Sequence, residues 1–152
     1  MLRRLTKKGD IPSINTLVDI GNLVSIRYAL PVAVFDLRAV TGPVVVRHAD
    51  GGERFCELGS DDVKHPEPGE VIFVDAAGMV IARRWCWRQS AESAARADTI
   101  DALVTVEAQH AGGRTQVDQA VADLQALLAE YTGGALTAAV LDADSPSFDP
   151  GG

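Results

Sequence analysis

Between residues 83 and 88 the chain reads Arg-Arg-Trp-Cys-Trp-Arg, interleaving cations with indoles. Read as one strand over 78 to 88, a two-residue period predicts Arg83, Trp85 and Trp87 on one face and Arg84, Cys86 and Arg88 on the other. A guanidinium pairs with phosphate and an indole stacks on a planar ring, so such a strand suits a ligand that carries both. A blander reading fits the same residues: tryptophans in the core, with arginines stacked on them. A second group, Asn15, Asp19 and Asn22, forms a polar strip at helical spacing. Asn15 falls in the first turn, where backbone N–H groups lack helical partners and a polar pocket can open. A solvated helix face accounts for that strip equally well. The third group is Thr105 and Glu107, on one face of an alternating segment whose Val104 and Val106 point the other way, toward the core. A carboxylate there can recognise an amino group or orient water, or it is simply exposed.

Other chemistries lack their residues. His48, His65 and His110 are isolated from one another, and no Ser/His/Asp, Cys/His, Walker or dinucleotide signature occurs. Cys56 and Cys86 are too few and too far apart for a disulfide framework or a zinc site, so neither metal nor cofactor is expected.

The elements that must position these groups are legible as changes of period. Ile14, Leu17, Val18, Gly21, Val24 and Tyr28 predict an amphipathic helix over 14–29, capped by Ser13 and stopped by Pro31. A second helix is predicted over about 115–131, with a capping box at Thr115 and Asp118 and a left-handed C-cap at Gly133. Strands are predicted at 32–35, 43–49, 53–58, 70–75, 78–88, 101–109 and 135–142, with DAAG at 75–78 joining two of them in a hairpin. The sum is an α+β fold, expected as one domain over 1–143 followed by a disordered tail at 144–152.

Composition narrows the partners. With 152 residues, 47% of them hydrophobic, one core needs no staples. No apolar run reaches the ~20 residues that span a bilayer, and the start MLRRLTKK lacks the apolar stretch of a secretory signal, so no membrane partner and a cytoplasmic location are expected. A net charge of -7 argues against coating nucleic acid by an overall positive field, and no DNA partner is expected. Basic residues gather at Arg3, Arg4, Lys7 and Lys8 and at Arg83, Arg84 and Arg88; acidic ones at Asp61 and Asp62 and at Asp142, Asp144 and Asp149. An acidic protein can still contact nucleic acid if its basic residues share one face.

PSINTLVDIGNLVS, LPVAVFDL, RHADGGERFCELG, PGEVIFVDAAG and DTIDALVTVEA, in this order, resemble the tRNA-editing (B3/4) domain of the phenylalanyl-tRNA synthetase beta subunit. NTLVDIGN at 15–22 is similar to its Asn-x-x-Val-Asp-x-x-Asn helix and PVAVFD at 31–36 to its Pro-x-His-x-Phe-Asp segment, with Ala33 in the place of the histidine. RRWCWR is similar to the Arg-Arg-Trp-x-Trp-Arg strand of free-standing members and replaces the glycine-rich strand of the synthetase pocket. The resemblance runs over about residues 10–142. It implies packed β-sheet layers, mixed or antiparallel, with helices outside, and a cleft that holds the aminoacylated 3′ end of tRNA and hydrolyses a mischarged ester. It puts Asn15 and Asp19 beside the pocket and Arg83 to Trp85 along it. Thr105 stands where the synthetase domain has a glutamate that recognises the amino acid, and Glu107 takes its place. On this basis Asn15 and Glu107 are the catalytic candidates, and Asp19, Asn22, Arg83, Arg84, Trp85, Trp87, Arg88 and Thr105 bind substrate. Relative to free-standing members the chain reads as amino-terminally shortened, leaving apolar surface for a second copy or a partner chain. Two other functions fit the same residues: a non-catalytic RNA- or nucleotide-binding module, and a pocket for an amino-acid-like small molecule.

Overall fold

Asn15 has an extended backbone (φ -160°, ψ 165°), and its side-chain oxygen accepts a hydrogen bond from the Val18 N–H at 3.0 Å. That satisfies one of the orphan donors of a helix start. The helix α1 therefore begins at Thr16 and runs Thr16–Tyr28, capped by Asn15 rather than Ser13. One turn in, Asp19 reaches back: its oxygens accept from the Ile14 N–H at 2.9 Å and the Ser13 hydroxyl at 2.5 Å. Ala29, in the left-handed region at φ 54°, ends the helix ahead of Pro31. The buried face is Ile20, Gly21 and Val24; Ile14 precedes the first turn and stays 64% exposed.

The computed structural model describes residues 6–7, 9–60 and 62–150; Arg3, Arg4, Lys8 and Asp61, counted above among the charge clusters, lie outside the described residues. The chain forms two compact units, one of Met1–Leu30 with Val106–Gly152, the other Pro31–Thr105.

In the first unit α1 packs on a second helix, α2 (Gly113–Tyr131), which buries Ala120, Leu124 and Leu128. An ion pair joins Arg27 to Asp123. This helix starts two residues earlier than its polar residues predict, after Gly112 at φ 82° and without a side-chain cap. Thr115 is thus inside the helix, and Asp118 bonds Arg114 at 3.2 Å instead of closing a capping box. Gly113 is buried because a Cβ there would lie 2.7 Å from that of Ala108. Gly133 (φ 68°) donates to the Leu128 carbonyl at 3.1 Å, the left-handed finish its position predicts. The strand expected at 135–142 does not form. A strand needs a neighbour for its backbone groups, none is paired with this segment among the described residues, and Leu136 and Leu141 remain exposed.

The second unit is built of sheet. Its strands are β1 (Val32–Asp36), β2 (Val45–His48), β3 (Phe55–Cys56), β4 (Val63–Lys64), β5 (Val71–Val74), β6 (Val80–Arg83), β7 (Arg88–Gln89) and β8 (Ala102–Val106). Antiparallel pairing gives the order β2-β5-β6-β7 and joins β3 to β4, and β1 pairs with β8. The DAAG hairpin joins β5 to β6 as expected: Gly78 is at φ 81°, and Asp75 Oδ1 accepts from the N–H groups of Ala77 and Met79 at 3.0 and 2.8 Å. The period of two on β5 and β6 divides all their buried side chains but Ala82 between two clusters. Phe73, Met79 and Ile81, joined by Ala82, pack with Ala33 and Phe35, while Ile72, Val74 and Val80 pack with Ala49 and Phe55. The fold is α+β, antiparallel sheet with two long helices, as the change of period predicts.

Candidate functional site

The Arg-Arg-Trp-Cys-Trp-Arg segment is a hairpin end, not one strand. Arg84 (φ 52°) and Trp85 (φ 60°) are both left-handed, which reverses the chain, so β6 stops at Arg83 and β7 returns with Arg88 opposite Arg83. The reversal takes four residues, 84 to 87, between the paired Arg83 and Arg88, and for residues other than glycine its two positive φ values carry a steric cost. The expected alternation of faces therefore ends at Arg83. The Trp85 N–H donates to the Val71 carbonyl at 3.1 Å and ties the turn to β5. Neither indole enters the core: Trp85 is 42% exposed and Trp87 83% exposed.

The arginines divide by what they touch. Arg83 donates twice to Glu70, at 2.8 and 2.6 Å, and lies over the Phe55 ring, 5.4 Å from its centroid. Those bonds hold the Glu70 carboxyl below its ordinary range and raise the Arg83 guanidinium above its own. Arg83 is thus committed to the fold. Arg84 Nε stands 3.6 Å from Glu70, beyond hydrogen-bond reach, and the side chain is 60% exposed. Arg88, also half in solvent, pairs with Glu57, whose other oxygen accepts from Lys64 at 2.5 Å. The Lys64 hydrogen bond, with Arg88 close by, keeps the Glu57 carboxyl below its usual range.

Glu57 arrives there through main-chain pairing: it bridges Ser90, and the Ala91 N–H donates to the Cys56 carbonyl at 2.9 Å. A hollow of about 320 Å³ results, lined by Glu57, Leu58, Arg84, Trp87, Arg88 and Gln89. Sequence reasoning found Arg84, Trp87 and Arg88. It missed Glu57 and Leu58, which arrive through the pairing of Cys56 and Glu57 with Ser90 and Ala91, and Gln89, which follows Arg88 on β7.

The remaining candidates are placed as follows. Asn15 and Asp19 lock the start of α1, and Asn22 is half-buried further along it. Glu107, half-buried, is the first residue past β8. On β8 all five residues are half-buried, so burial does not single out one inward face. Leu103 packs on the cluster around Phe35, and Thr105 shares its parity, with a buried hydroxyl that has no hydrogen-bond partner among the described residues. Ala33, 1% exposed, sits in that same cluster. No group of three or more His, Cys, Asp or Glu side chains that could hold a metal occurs among the described residues, nor does a helix long and apolar enough to cross a membrane.

A family model described as the B3/4 domain matches residues 1–133. The chain belongs to the B3/4 domain family. Over 82 residues this B3/4 domain is 35% identical to the phenylalanine–tRNA ligase beta subunit of Shewanella oneidensis, covering 54% of the chain and 10% of that relative. Over 82 residues it is 41% identical to the corresponding subunit of Neisseria gonorrhoeae, with the same two shares. The chain thus spans about a tenth of the length of these relatives. Among solved structures, an N-terminal fragment of the phenylalanyl-tRNA synthetase beta-subunit from Pyrococcus horikoshii superposes with a TM-score of 0.62 at 14% identity, over 75% of this chain and 39% of that one. The B3/4 fold is shared with that fragment.

Proposed function

We propose that this B3/4 domain binds the aminoacylated 3′ end of a tRNA and hydrolyses, in trans and in the cytoplasm, the ester of a wrongly attached amino acid. The observation that carries the reading is Trp87, 83% exposed and lining one hollow together with Arg84 and Arg88. An indole in solvent offers a face to an unstacked base, and the flanking cations attract its phosphates. The relatives named above are subunits of a ligase that acts on tRNA, which supports the choice of nucleic acid. Hydrolysis of an activated ester needs orientation and electrostatic support more than a dedicated nucleophile. In this reading Arg84, Trp85, Trp87 and Arg88 hold the nucleotide end, and the resemblance assigns water-orienting roles to Asn15 and Glu107 and substrate-binding ones to Asp19, Asn22 and Thr105.

The test is a panel of tRNAs each charged with a labelled wrong amino acid. At substoichiometric protein, release from at least one of them faster than in buffer is expected. Release at the buffer rate from every member overturns the hydrolytic part.

A second reading, binding without hydrolysis, is favoured by two observations. The Asn15 oxygen caps α1, and Ala33, in the place of a histidine, is packed in apolar core. Salt-dependent tRNA affinity with no turnover selects it.

A further inference from the structure

We propose that the hollow beside the Arg84–Trp87 turn is a one-nucleotide subsite that selects a base bearing an exocyclic amino group, with Trp87 as the stacking surface and Glu57 as the selecting acceptor. The proposal rests on the reading that the turn receives a single-stranded nucleic-acid end, and it adds what that end must contain.

The volume sets the scale. About 320 Å³ lies at the lower end of the ~300–1,000 Å³ typical of small-ligand sites, room for one nucleotide and not for a duplex. The wall groups set the chemistry. An ionised carboxylate only accepts hydrogen bonds, with about two lone-pair sites on each oxygen. Lys64 occupies Oε2 of Glu57 and Arg88 occupies Oε1, so each oxygen keeps one site for a donor. The same two cations hold the group ionised. Cytosine and adenine present an amino group on the edge where uracil presents a carbonyl, and a carboxylate accepts from the first and repels the second. Gln89, on the same wall, can donate to the ring nitrogen beside that amino group. Arg84, out of hydrogen-bond reach of Glu70, keeps its donors for the phosphate. Stacking needs a base free of its neighbours, which excludes paired RNA. The terminal C, C and A of a tRNA all carry such an amino group, so a subsite of this kind accepts each nucleotide of the acceptor end and disfavours uracil.

The experiment measures binding of the full chain to labelled single-stranded hexamers of rC, rA and rU by fluorescence anisotropy at low and moderate salt. The parent is expected to bind rC and rA at least about fivefold more tightly than rU. Trp87→Ala is expected to lower the affinity for rC about tenfold or more. Glu57→Gln is expected to bring the rC and rU affinities within about twofold of each other, chiefly by raising that for rU. Both variants should keep the parent's far-ultraviolet circular dichroism, because Trp87 is in solvent and exposed ion pairs contribute little to stability. Equal binding of rU and rC by the parent, or unchanged rC binding by Trp87→Ala, overturns the proposal. CMP binding as tightly as the rC hexamer overturns the nucleic-acid source of the nucleotide. The two readings fail separately. Deacylation of a mischarged tRNA by Trp87→Ala at the parent rate sinks the subsite and leaves editing standing. Base selectivity with no tRNA deacylated does the reverse.

Discussion

Arg83→Ala is expected to destabilise the fold before it affects any ligand. The Arg83 and Glu70 side chains are only 12% and 10% exposed, and two short hydrogen bonds join them. Removing one partner of a buried pair strands the other charge, at about 3–5 kcal/mol. The lower end applies here, because Arg84 stands 3.6 Å from Glu70 and the Glu67 N–H already donates to its Oε2 at 3.2 Å. We therefore expect a loss of about 3 kcal/mol, or roughly 10 °C in Tm for a chain of this size. Urea unfolding followed by circular dichroism measures it without relying on the two nearby indoles. Replacing both partners by apolar residues, Arg83→Met with Glu70→Leu, should recover most of the loss, since no charge is then left unpaired. An Arg83→Ala protein within about 0.5 kcal/mol of the parent, the scatter of ordinary surface changes, refutes the reasoning. The practical consequence is that lost tRNA affinity in Arg83→Ala reports on folding, whereas Arg84→Ala reports on the ligand.

Asn15→Ala should cost about 1 kcal/mol through the lost cap, while Asn15→Asp keeps the acceptor and holds stability; if Asn15 also orients water, the aspartate variant loses deacylation rate at parental stability. Burial opposes ionisation of Glu53, but the N–H groups of Asp50 and Gly51 and the Arg47 guanidinium outweigh it and hold the carboxyl at about 2, below 4.5. With the folded value depressed, its contribution is complete above pH 4.5 and lost as the pH falls toward 2. Urea midpoints across that window should fall in the parent and fall less in Glu53→Gln; parallel profiles would contradict this. Gly113→Ala should destabilise by about 1–3 kcal/mol, because the new Cβ meets that of Ala108 at 2.7 Å; an unchanged urea midpoint would show that the helix start can shift freely.

The two long helices were legible because their apolar residues repeat over several turns, and the 75–78 hairpin because Asp and Gly suit its backbone. The 83–88 turn was not. Its alternation imitates a strand face, and Arg84 and Trp85 occupy left-handed positions that sequence reasoning reserves for Gly or Asn. Segment 135–142 has strand-like residues, but a strand is a property of a pair, and its partner is not written in its own residues. On β8 alternation gives two faces without saying that both can be covered: Leu103 packs on the Phe35 cluster while all five residues are half-buried. The candidate site was half legible. Its cations and indoles are local in sequence, whereas Glu57 and Glu70 reach them only through the sheet.

The left-handed pair at Arg84 and Trp85 sets durability against recognition. Glycine would relieve about 1–2 kcal/mol of steric penalty at each position, part of which its extra freedom in the unfolded chain returns. A library of variants sorted only for heat resistance should therefore drift to glycine at 84 and 85, discarding a guanidinium and an indole and yielding hardier molecules that, on the proposed function, grip nucleic acid less.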